Sequence, residues 1–404
     1  MNVLVLNSGS SSIKFQFFAM QGGEGGAVRA KGAVERIGES SGKFEYENEK
    51  GAEFKREDAV PDHDAGLRLV MEALTHADHG VLASTDEIEA VGHRVVHGGE
   101  RFHAPTSIND EVEQAIEAHI PLAPLHNPPN LTGIRTARKL IPNAEQVAVF
   151  DTAFHQTMPP HAYMYAFPYE LYEQAGVRRY GFHGTSHAYV SRELCKLMGR
   201  EVEDVNLISA HLGNGASMAA VAGGRCVDTS LGMTPLAGLI MGTRTGDFDP
   251  AILFYLARER GYSLEEMDQL VNKESGLKGI CGSNDLRDVH DKAASGDERA
   301  ALALEMLAYR NRKYFGGYFA ALGRVDAIVF TAGVGENDDR VRELSLQGLS
   351  GLGVHVDPER NQAGGGRFKA PGRISTDDSP VQVWVVPTNE ELEIARQTYT
   401  ALRA

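Results

Sequence analysis

The sequence is poor in the residues that build disulfides, metal clusters and membrane spans. Its three cysteines, Cys195, Cys226 and Cys281, form no CxxC pair. An odd count without paired spacing argues against a disulfide framework or a zinc site and fits a reducing compartment, so we expect a cytoplasmic protein. No apolar run approaches the length of about 18 residues that a membrane-spanning helix needs. The segment Met1–Leu6 lacks basic residues and predicts a strand, not a signal peptide.

Positive charge is also scarce. The chain has 40 Lys and Arg against 55 Asp and Glu, a formal net charge of −15. Nucleic acids and anionic membranes bind preferentially to positively charged surfaces, so we expect neither as a partner. A bound polyanion would instead need local cations, backbone amides and a metal ion. With 404 residues, the chain is long enough for two or three domains with full cores.

Two strand–turn–strand patterns occur half a chain apart. Apolar runs on either side of the polar turn Asn7–Ser12 predict a β-hairpin. A second pair of apolar runs, Leu207–Ala210 and Ala216–Val221, surrounds His211–Gly215. Gly9 falls on Gly213, an offset of 204 residues. We therefore predict two structurally related α/β halves facing each other.

Periodicity and capping signals place further elements. Strands are predicted at about residues 90–96, 147–150, 328–331 and 381–386, and helices at about residues 64–76, 110–118, 250–260, 297–322 and from 388 to the end. Asp110, Asp249 and Ser186 are predicted helix caps. Ser263 with Glu266, and Thr388 with Glu391, have the spacing of capping boxes.

Three glycine-rich turns follow predicted strands, and they point to a phosphate-bearing ligand. They are Asn7–Lys14, His211–Gly215 and Gly333–Asn337. Small residues let backbone amides approach a phosphate, although each segment taken alone is more typical of an ordinary tight turn. The first is not a P-loop, because GxxxxGK[ST] is absent. Together the three turns favour a nucleotide site split between the two halves.

Two arginines and one histidine stand out as cationic or donor groups. Arg94 interrupts an apolar strand, which indicates either a buried ion pair or a fork that grips a carboxylate or phosphoryl group. Arg244 lies in the flexible segment Gly242–Asp247. His183 and His187 are four residues apart, but flanking glycines and the lack of an HExxH glutamate argue against zinc. His183 is predicted to donate a hydrogen bond at a site, and His187 to belong to a helix start.

Two acidic residues have both a structural and a chemical interpretation. Asp151 directly follows a predicted strand, where it is either a helix cap or an active-site acid. Glu390 is either a first-turn glutamate favoured by the helix dipole or a ligand to Mg²⁺ or its bound water. A Ser-His-Asp hydrolase is disfavoured, because no GxSxG elbow is present.

With these residues collected, the chain resembles the acetate and propionate kinase family over its whole length. The resemblance rests on segments that occur in order: Leu4–Phe15, Gly92–Gly99, Pro124–Asn130, Phe150–His155, Gly181–His187, Asp285–Arg287 and Pro387–Glu391. It implies two duplicated lobes of the actin/sugar-kinase/Hsp70-type fold around a cleft. It also implies ATP or ADP, Mg²⁺ (with Mn²⁺ as an alternative) and a homodimer.

The resemblance further implies a domain division and a role for each site residue. Residues 1–150 plus a last helix at about 388–404 would form the substrate-side lobe, and residues 151–387 the nucleotide-binding and dimerisation lobe. Catalysis would use Asp151, His183 and Arg244. Arg94 would bind the substrate carboxylate. The pocket for the methyl group would be formed by Val96, Leu125, Phe182 and Pro235. The metal would bind Asn7 and Glu390. The nucleotide would bind Lys14, His211, Leu212, Gly213, Asn214, Gly215, Asp285, Leu286, Arg287, Gly333, Val334, Gly335, Glu336 and Asn337.

The implied reaction is the reversible phosphorylation of acetate by ATP to give acetyl phosphate and ADP. A carboxyl group has a pKa of roughly 4, so acetate is already an anion at pH 7 and needs no general base. We therefore expect Asp151 to orient Arg94, His183 or a metal-bound water. The alternatives are a kinase that prefers propionate or butyrate, a sugar kinase, and a non-enzymatic actin-like ATP switch.

Overall fold

A computed structural model describes residues 1–403 of the chain, which contain two separate β-sheets. The first sheet consists of β1 (Asn2–Ser8), β2 (Ser12–Gln21), β3 (Gly25–Glu35), β4 (Gly42–Asn48), β5 (Glu53–Asp58), β6 (Ala90–Val95), β7 (Thr106–Ser107) and β8 (Glu145–Phe150). The second consists of β9 (Asn206–Leu212), β10 (Ala216–Ala222), β11 (Arg225–Thr229), β12 (Ala327–Thr331), β13 (Gly372–Arg373) and β14 (Gln382–Val385).

Helices surround both sheets. They are α1 (His63–Leu74), α2 (Asp110–Ala118), α3 (Asn127–Leu140), α4 (Pro160–Tyr163), α5 (Tyr169–Ala175), α6 (Gly184–Met198), α7 (Ala251–Arg260), α8 (Leu264–Gln269), α9 (Gly276–Cys281), α10 (Leu286–Ala294), α11 (Glu298–Leu322), α12 (Ala332–Asn337), α13 (Asp339–Leu346), α14 (Pro358–Asn361) and α15 (Glu390–Arg403). None of the helices within residues 1–403 has the length and hydropathy needed to cross a bilayer.

The chain divides into two compact units. Unit 1 contains Met1–Gln156 and the residues from Asn389 onward, and unit 2 contains Thr157–Thr388. The chain thus leaves unit 1 after its sheet is complete and returns to it only for the last helix, α15.

The two sheets share one topology, which confirms the prediction of two related α/β halves. In unit 1 the order β3-β2-β1-β6-β8 combines an antiparallel meander with two parallel strands. In unit 2 the order β11-β10-β9-β12-β14 repeats that combination. The sequence offset also appears in the strands, since β1 begins at Asn2 and β9 at Asn206.

The sheet of unit 1 is covered on both faces. Leu4 and Leu6 of β1 join a core with α1 and α3, whereas Val3 and Val5 face α15. This alternation follows from the two-residue period of a strand. Helix α15 lies so close to β6 that a side chain at Gly92 would collide with Thr398. Each face of the parallel strands therefore packs into an apolar cluster, as is typical of buried strands.

Four predicted caps need correction, and one is confirmed. Helix α2 is capped by Asn109, not Asp110, because Asn109 accepts from Val112 N. Helix α15 is capped by Asn389, not by a Thr388–Glu391 box. Helix α6 begins at Gly184, before Ser186, and the cap position of α7 is Pro250, although Asp249 does accept from Ala251 N. The Ser263–Glu266 box of α8 is present as predicted.

Candidate active site

Strand ends bring Arg94 and Asp151 together in unit 1. Strands β6 and β8 are parallel, with Arg94 aligned to Val149 and Val95 to Phe150. The pairing of the two strands continues one residue beyond β8, because Asp151 N donates to Val95 O over 2.9 Å. Asn7 lies near the carboxyl end of β1, the strand that pairs with β6 on its other side. These residues thus share the sheet edge at which α/β proteins usually bind ligands.

Arg94 is held by two carboxylates. Its Nη2 donates to Asp151 Oδ2, and its Nε lies 3.8 Å from Glu390 Oε2. Only 1% of the Asp151 side chain and 19% of the Arg94 side chain are exposed. Burial opposes the charge of Arg94, but the neighbouring carboxylates of Asp151 and Glu390 outweigh it and raise the pKa of the guanidinium. The buried ion pair is therefore present, and it keeps the Arg94 guanidinium ionised at this edge.

The Arg94–Asp151 pair still leaves the guanidinium with donor capacity. Arg94 Nε is buried and makes no hydrogen bond within residues 1–403. Because a guanidinium presents five N–H donors in a planar fork, Arg94 can bind a further anion without losing Asp151.

Two buried asparagines, which the sequence interpretation did not single out individually, support this edge. Asn130 accepts from Val96 N and donates to Ser8 O, which ties the end of β1 to the segment after β6. Asn127 bonds both the N–H and the C=O of His97. Both lie in the first turn of α3, where their signal was the unusual pairing of asparagines with Pro128 and Pro129.

Unit 2 presents His183 at the start of α6. His183 has φ 59° and ψ 27°, a left-handed conformation that is uncommon for a residue with a side chain. Its ring stacks on that of His211 with centroids 4.2 Å apart, and its Nδ1 lies 2.9 Å from Ser217 Oγ. Such strained positions concentrate at functional sites, and this one orients the imidazole from a helix start.

Arg244 and His183 meet at Gly215. An added Cβ at Gly215 would lie 3.6 Å from His183 Nε2 and 3.7 Å from Arg244 Nη1. Arg244 donates to Pro235 O over 3.2 Å, and none of the ion pairs within residues 1–403 includes it. Burial lowers the pKa of Arg244, yet a guanidinium keeps its charge at neutral pH. The structure thus joins a histidine, a cation without a carboxylate partner, and a glycine turn.

A cavity of about 600 Å³ lies in unit 2, a volume within the range of small-molecule sites. Nine of the predicted nucleotide residues line it: Leu212, Gly213, Asn214, Asp285, Leu286, Arg287, Gly333, Val334 and Asn337. The rest of the apolar wall was not predicted, and it comes from Ala216, Ile240, Met241, Leu277, Leu307 and Val341. Polar residues missed by the sequence interpretation are Asn284, Asn311, Asp338 and Arg367.

The other predicted nucleotide residues lie elsewhere than in the cavity wall. The carboxylate of Glu336 is used in hydrogen bonds within unit 2, because it accepts from Ala332 N and from Thr388 N. Gly335 O accepts from the buried Arg342. His211 Nδ1 lies 2.8 Å from Ser186 Oγ, and Lys14 is an exposed residue of β2 in unit 1.

Asp285 and Arg287 pair with each other on the cavity rim. The hydrogen bonds from Arg287 lower the pKa of Asp285 to about 2, and Asp285 also accepts from Arg287 N to cap α10. Both side chains are exposed, so the pair contributes little stability and leaves the guanidinium of Arg287 accessible.

The residues predicted to contact the substrate methyl group divide between the units. Val96 and Leu125 belong to unit 1; Val96 is buried and 65% of Leu125 is exposed. Phe182 and Pro235 belong to unit 2, where Phe182 is buried beside the His183 turn.

The duplicated strand order defines the class of this protein: an α/β chain of the actin/sugar-kinase/Hsp70 type, with charged side chains at strand ends. The chain belongs to the acetokinase family, since the model of that family matches residues 2–396. The acetate kinase of Desulfotalea psychrophila is 52% identical over the full length of both chains.

Solved structures agree with this assignment. The Porphyromonas gingivalis acetate kinase superposes with a TM-score of 0.93 at 46% identity, covering 99% of each chain. A propionate kinase from Francisella tularensis superposes with a TM-score of 0.90 at 40% identity, again covering 99% of each chain.

Proposed function

We propose that this chain catalyses the reversible transfer of the γ-phosphoryl group of ATP to acetate. The observation that carries the proposal is the full-length match, at 52% identity, to proteins named acetate kinase. In the forward direction an acetate oxygen attacks the γ-phosphorus, the bond to the ADP oxygen breaks, and acetyl phosphate and ADP leave. No proton is transferred, because both nucleophile and leaving group are anions.

Arg94 would bind the acetate carboxylate. Its bond to Asp151 fixes one edge of the guanidinium and leaves Nε without a hydrogen bond for an incoming anion. Asp151 would act as a positioning residue and not as a base, since an acetate anion needs none. This role accounts for a fully buried aspartate whose carboxylate contacts the arginine directly.

Arg244 and His183 would stabilise the transferring phosphoryl group. The reaction brings a carboxylate to a polyanion, so charge compensation and positioning dominate the barrier. Arg244 supplies a partly buried charge without a carboxylate partner, and His183 supplies an imidazole nitrogen beside it. The −15 net charge of the chain makes such local groups necessary.

The nucleotide would occupy the cavity of unit 2. Asn214, in the turn after β9, and Gly333 and Val334, in the first turn of helix α12, offer backbone amides for phosphates, and the apolar wall suits a purine ring.

Asn7 and Glu390 fit a magnesium ion by the chemistry of their donors. A carboxylate and an amide oxygen are the hard ligands that Mg²⁺ prefers, and it usually takes one or two protein ligands plus phosphate and water. Glu390 is partly exposed, in the first turn of α15, and Asn7 is partly exposed near the end of β1. When bound, Mg²⁺ would neutralise the β- and γ-phosphates.

A hydroxylamine trap tests the proposal. Acyl phosphates form hydroxamates, so the protein with MgATP should give a signal with acetate, a weaker one with propionate or butyrate, and none with glucose. Formation of ADP from ATP in the presence of glucose, without any hydroxamate, would identify a sugar kinase. ATP turnover without any acceptor would identify an ATP switch, and a propionate signal above that of acetate would favour a propionate kinase.

Shortening Val96 to alanine should raise the propionate/acetate ratio of kcat/KM. A pocket discriminates one methylene by roughly 1–3 kcal/mol, or about 10–200-fold, and a smaller side chain would relax that limit. The measurement is the ratio in wild type and Val96→Ala, with Val95→Ala, a buried neighbour on β6, as the control. A lower ratio in Val96→Ala would remove Val96 from the methyl pocket.

We further propose that the chain forms a homodimer through unit 2. Helix α7 has no buried residue, although Ile252, Phe254 and Tyr255 are large and apolar, and the neighbouring Leu264 is 76% exposed. An isolated ten-residue helix is marginal in water and depends on packing of its apolar side chains. A second copy of α7 would supply that packing.

Phe254→Glu combined with Leu264→Glu should therefore convert the protein to a monomer. Light scattering after gel filtration should give twice the 43.8 kDa chain mass for wild type and the single mass for the variant. Leu197→Glu, at another exposed leucine of unit 2, should stay dimeric. A monomeric wild type, or a dimeric double variant, would contradict this interface.

A cytoplasmic location remains part of the proposal. The three cysteines are buried and form no disulfide within residues 1–403, which is the state expected in a reducing compartment.

A further inference from the structure

We propose that Ser217 and His187 are positioning residues that hold His183 in the tautomer with its proton on Nε2. The inference rests on the proposed role of His183 in phosphoryl transfer, and it adds a buried relay of hydrogen bonds that sets which ring nitrogen donates.

The relay is a continuous line of polar atoms inside unit 2. Ser217 Oγ lies 2.9 Å from His183 Nδ1 and 2.8 Å from His187 Nε2. His187 Nδ1 in turn lies 2.8 Å from Ser209 Oγ. The side chains of Ser209, His187 and Ser217 are all fully buried, and only His183 at the end of the line is partly exposed.

The secondary structure explains why these residues meet. Ser209 lies on β9 and Ser217 on the paired β10, in register positions whose side chains share one face of the sheet. His183 and His187 are four residues apart at the start of α6, so both rings project toward that face. One hydroxyl, that of Ser217, can therefore reach both imidazoles.

The hydrogen-bond capacities leave two directions for the relay and one arrangement that interrupts it. A hydroxyl has one proton and can accept two hydrogen bonds, whereas a neutral imidazole has one donor and one acceptor nitrogen. In the first direction Ser209 donates to His187 Nδ1, His187 Nε2 donates to Ser217, and Ser217 donates to His183 Nδ1, so that His183 carries its proton on Nε2. In the second direction every bond is reversed, and in the interrupted arrangement Ser217 accepts from both rings; in both of these His183 Nδ1 is the donor.

The surroundings of His183 favour the first direction. Its Nε2 and Arg244 Nη1 both lie within 3.7 Å of the Cβ position at Gly215, where a phosphoryl oxygen would need donors. A neutral imidazole carries one proton, so the nitrogen that holds it decides what the ring presents to an anion. With the proton on Nε2, the ring donates toward the anion; with it on Nδ1, a lone pair would face the anion.

The experiment measures tautomer and turnover separately. In protein labelled with ¹⁵N-histidine, two-bond ¹H–¹⁵N correlations without substrate distinguish the tautomers, and His183→Gln identifies the resonances of His183. Wild type should show a protonated Nε2. Ser217→Ala should give a mixture of tautomers and about a tenfold lower kcat, the loss expected for one hydrogen bond, with the KM for acetate and ATP little changed.

Ser375→Ala is the matched control. Ser375 is a fully buried serine of unit 2 that bonds Val383 N and Arg373, away from the relay. It should leave both the tautomer and kcat as in wild type. If Ser217→Ala does not fold, Ser209→Ala tests the far end of the relay, where it should disturb the tautomer of His187.

The outcomes separate the relay from the catalytic role of His183. A protonated Nδ1 in wild type, or an unchanged tautomer in Ser217→Ala even with a lower kcat, overturns the relay. A changed tautomer with unchanged kcat supports the relay and removes His183 from phosphoryl transfer. A change in both supports the relay and the catalytic role together.

Discussion

Replacing Arg244 by alanine is expected to lower kcat by about 10³–10⁵-fold, the range for arginines that stabilise phosphoryl transfer. Arg244 has no carboxylate partner within residues 1–403, so its charge is available to a ligand. Because Arg244 bonds only a backbone carbonyl and a sulfur, its loss should cost little stability. Initial rates of acetyl phosphate formation at saturating substrates, together with a melting curve, check both parts.

Two companion variants sharpen the Arg244 experiment. Arg244→Lys keeps the charge without the planar fork and should recover only part of the loss. Arg225→Ala, at an exposed arginine of the same unit, should be as active as wild type. If Arg244→Ala retained turnover within a few-fold of wild type, the assignment of Arg244 to the transition state would be wrong.

Arg94→Gln should remove activity and also destabilise unit 1. The substitution breaks the ion pair between Arg94 and the buried Asp151, which typically costs about 3–5 kcal/mol of unfolding free energy. Adding Asp151→Asn in the same chain removes the buried carboxylate charge and should restore most of the stability. Activity should stay low in the double variant, because the carboxylate-binding fork is still missing.

The single variant Asp151→Asn completes a double-mutant cycle with wild type, Arg94→Gln and the double variant. It keeps the shape of the side chain and leaves Arg94 charged, so we expect a fall in kcat through loss of orientation, with little loss of acetate binding. Denaturant unfolding and kcat/KM for acetate, measured on all four proteins, separate stability from catalysis. Near-normal turnover in Asp151→Asn would rule out an essential role for Asp151, and full stability in Arg94→Gln would contradict the buried pair.

The architecture was predictable from the sequence because short-range patterns encode it. The hairpins around Asn7–Ser12 and His211–Gly215 follow from apolar runs interrupted by small polar residues. The match of the two patterns at an offset of 204 residues indicated the duplication. Strand β5 carries no buried residue and many charges, so its sequence gives no strand signal. It forms because β4 offers it a pairing edge.

Residues of the candidate site could be named from the sequence, but the contacts between them could not. Arg94 and Asp151 are 57 residues apart, and only the register of two parallel strands brings them together. Ser186 and Thr388 looked like helix caps because their local spacing fits, yet they bond each other across 202 residues. Local rules cannot anticipate a tertiary partner that competes for the same hydroxyl.

Helix α15 has a consequence for the order in which the protein is made. It buries Ile394 and Ala395 against Val3, Val5 and Val149, which are synthesised long before it. On the ribosome, one face of the unit 1 sheet therefore waits uncovered while the whole of unit 2 is translated, although domains generally fold as they emerge. The unit that begins first is thus completed last, by the helix that carries Glu390.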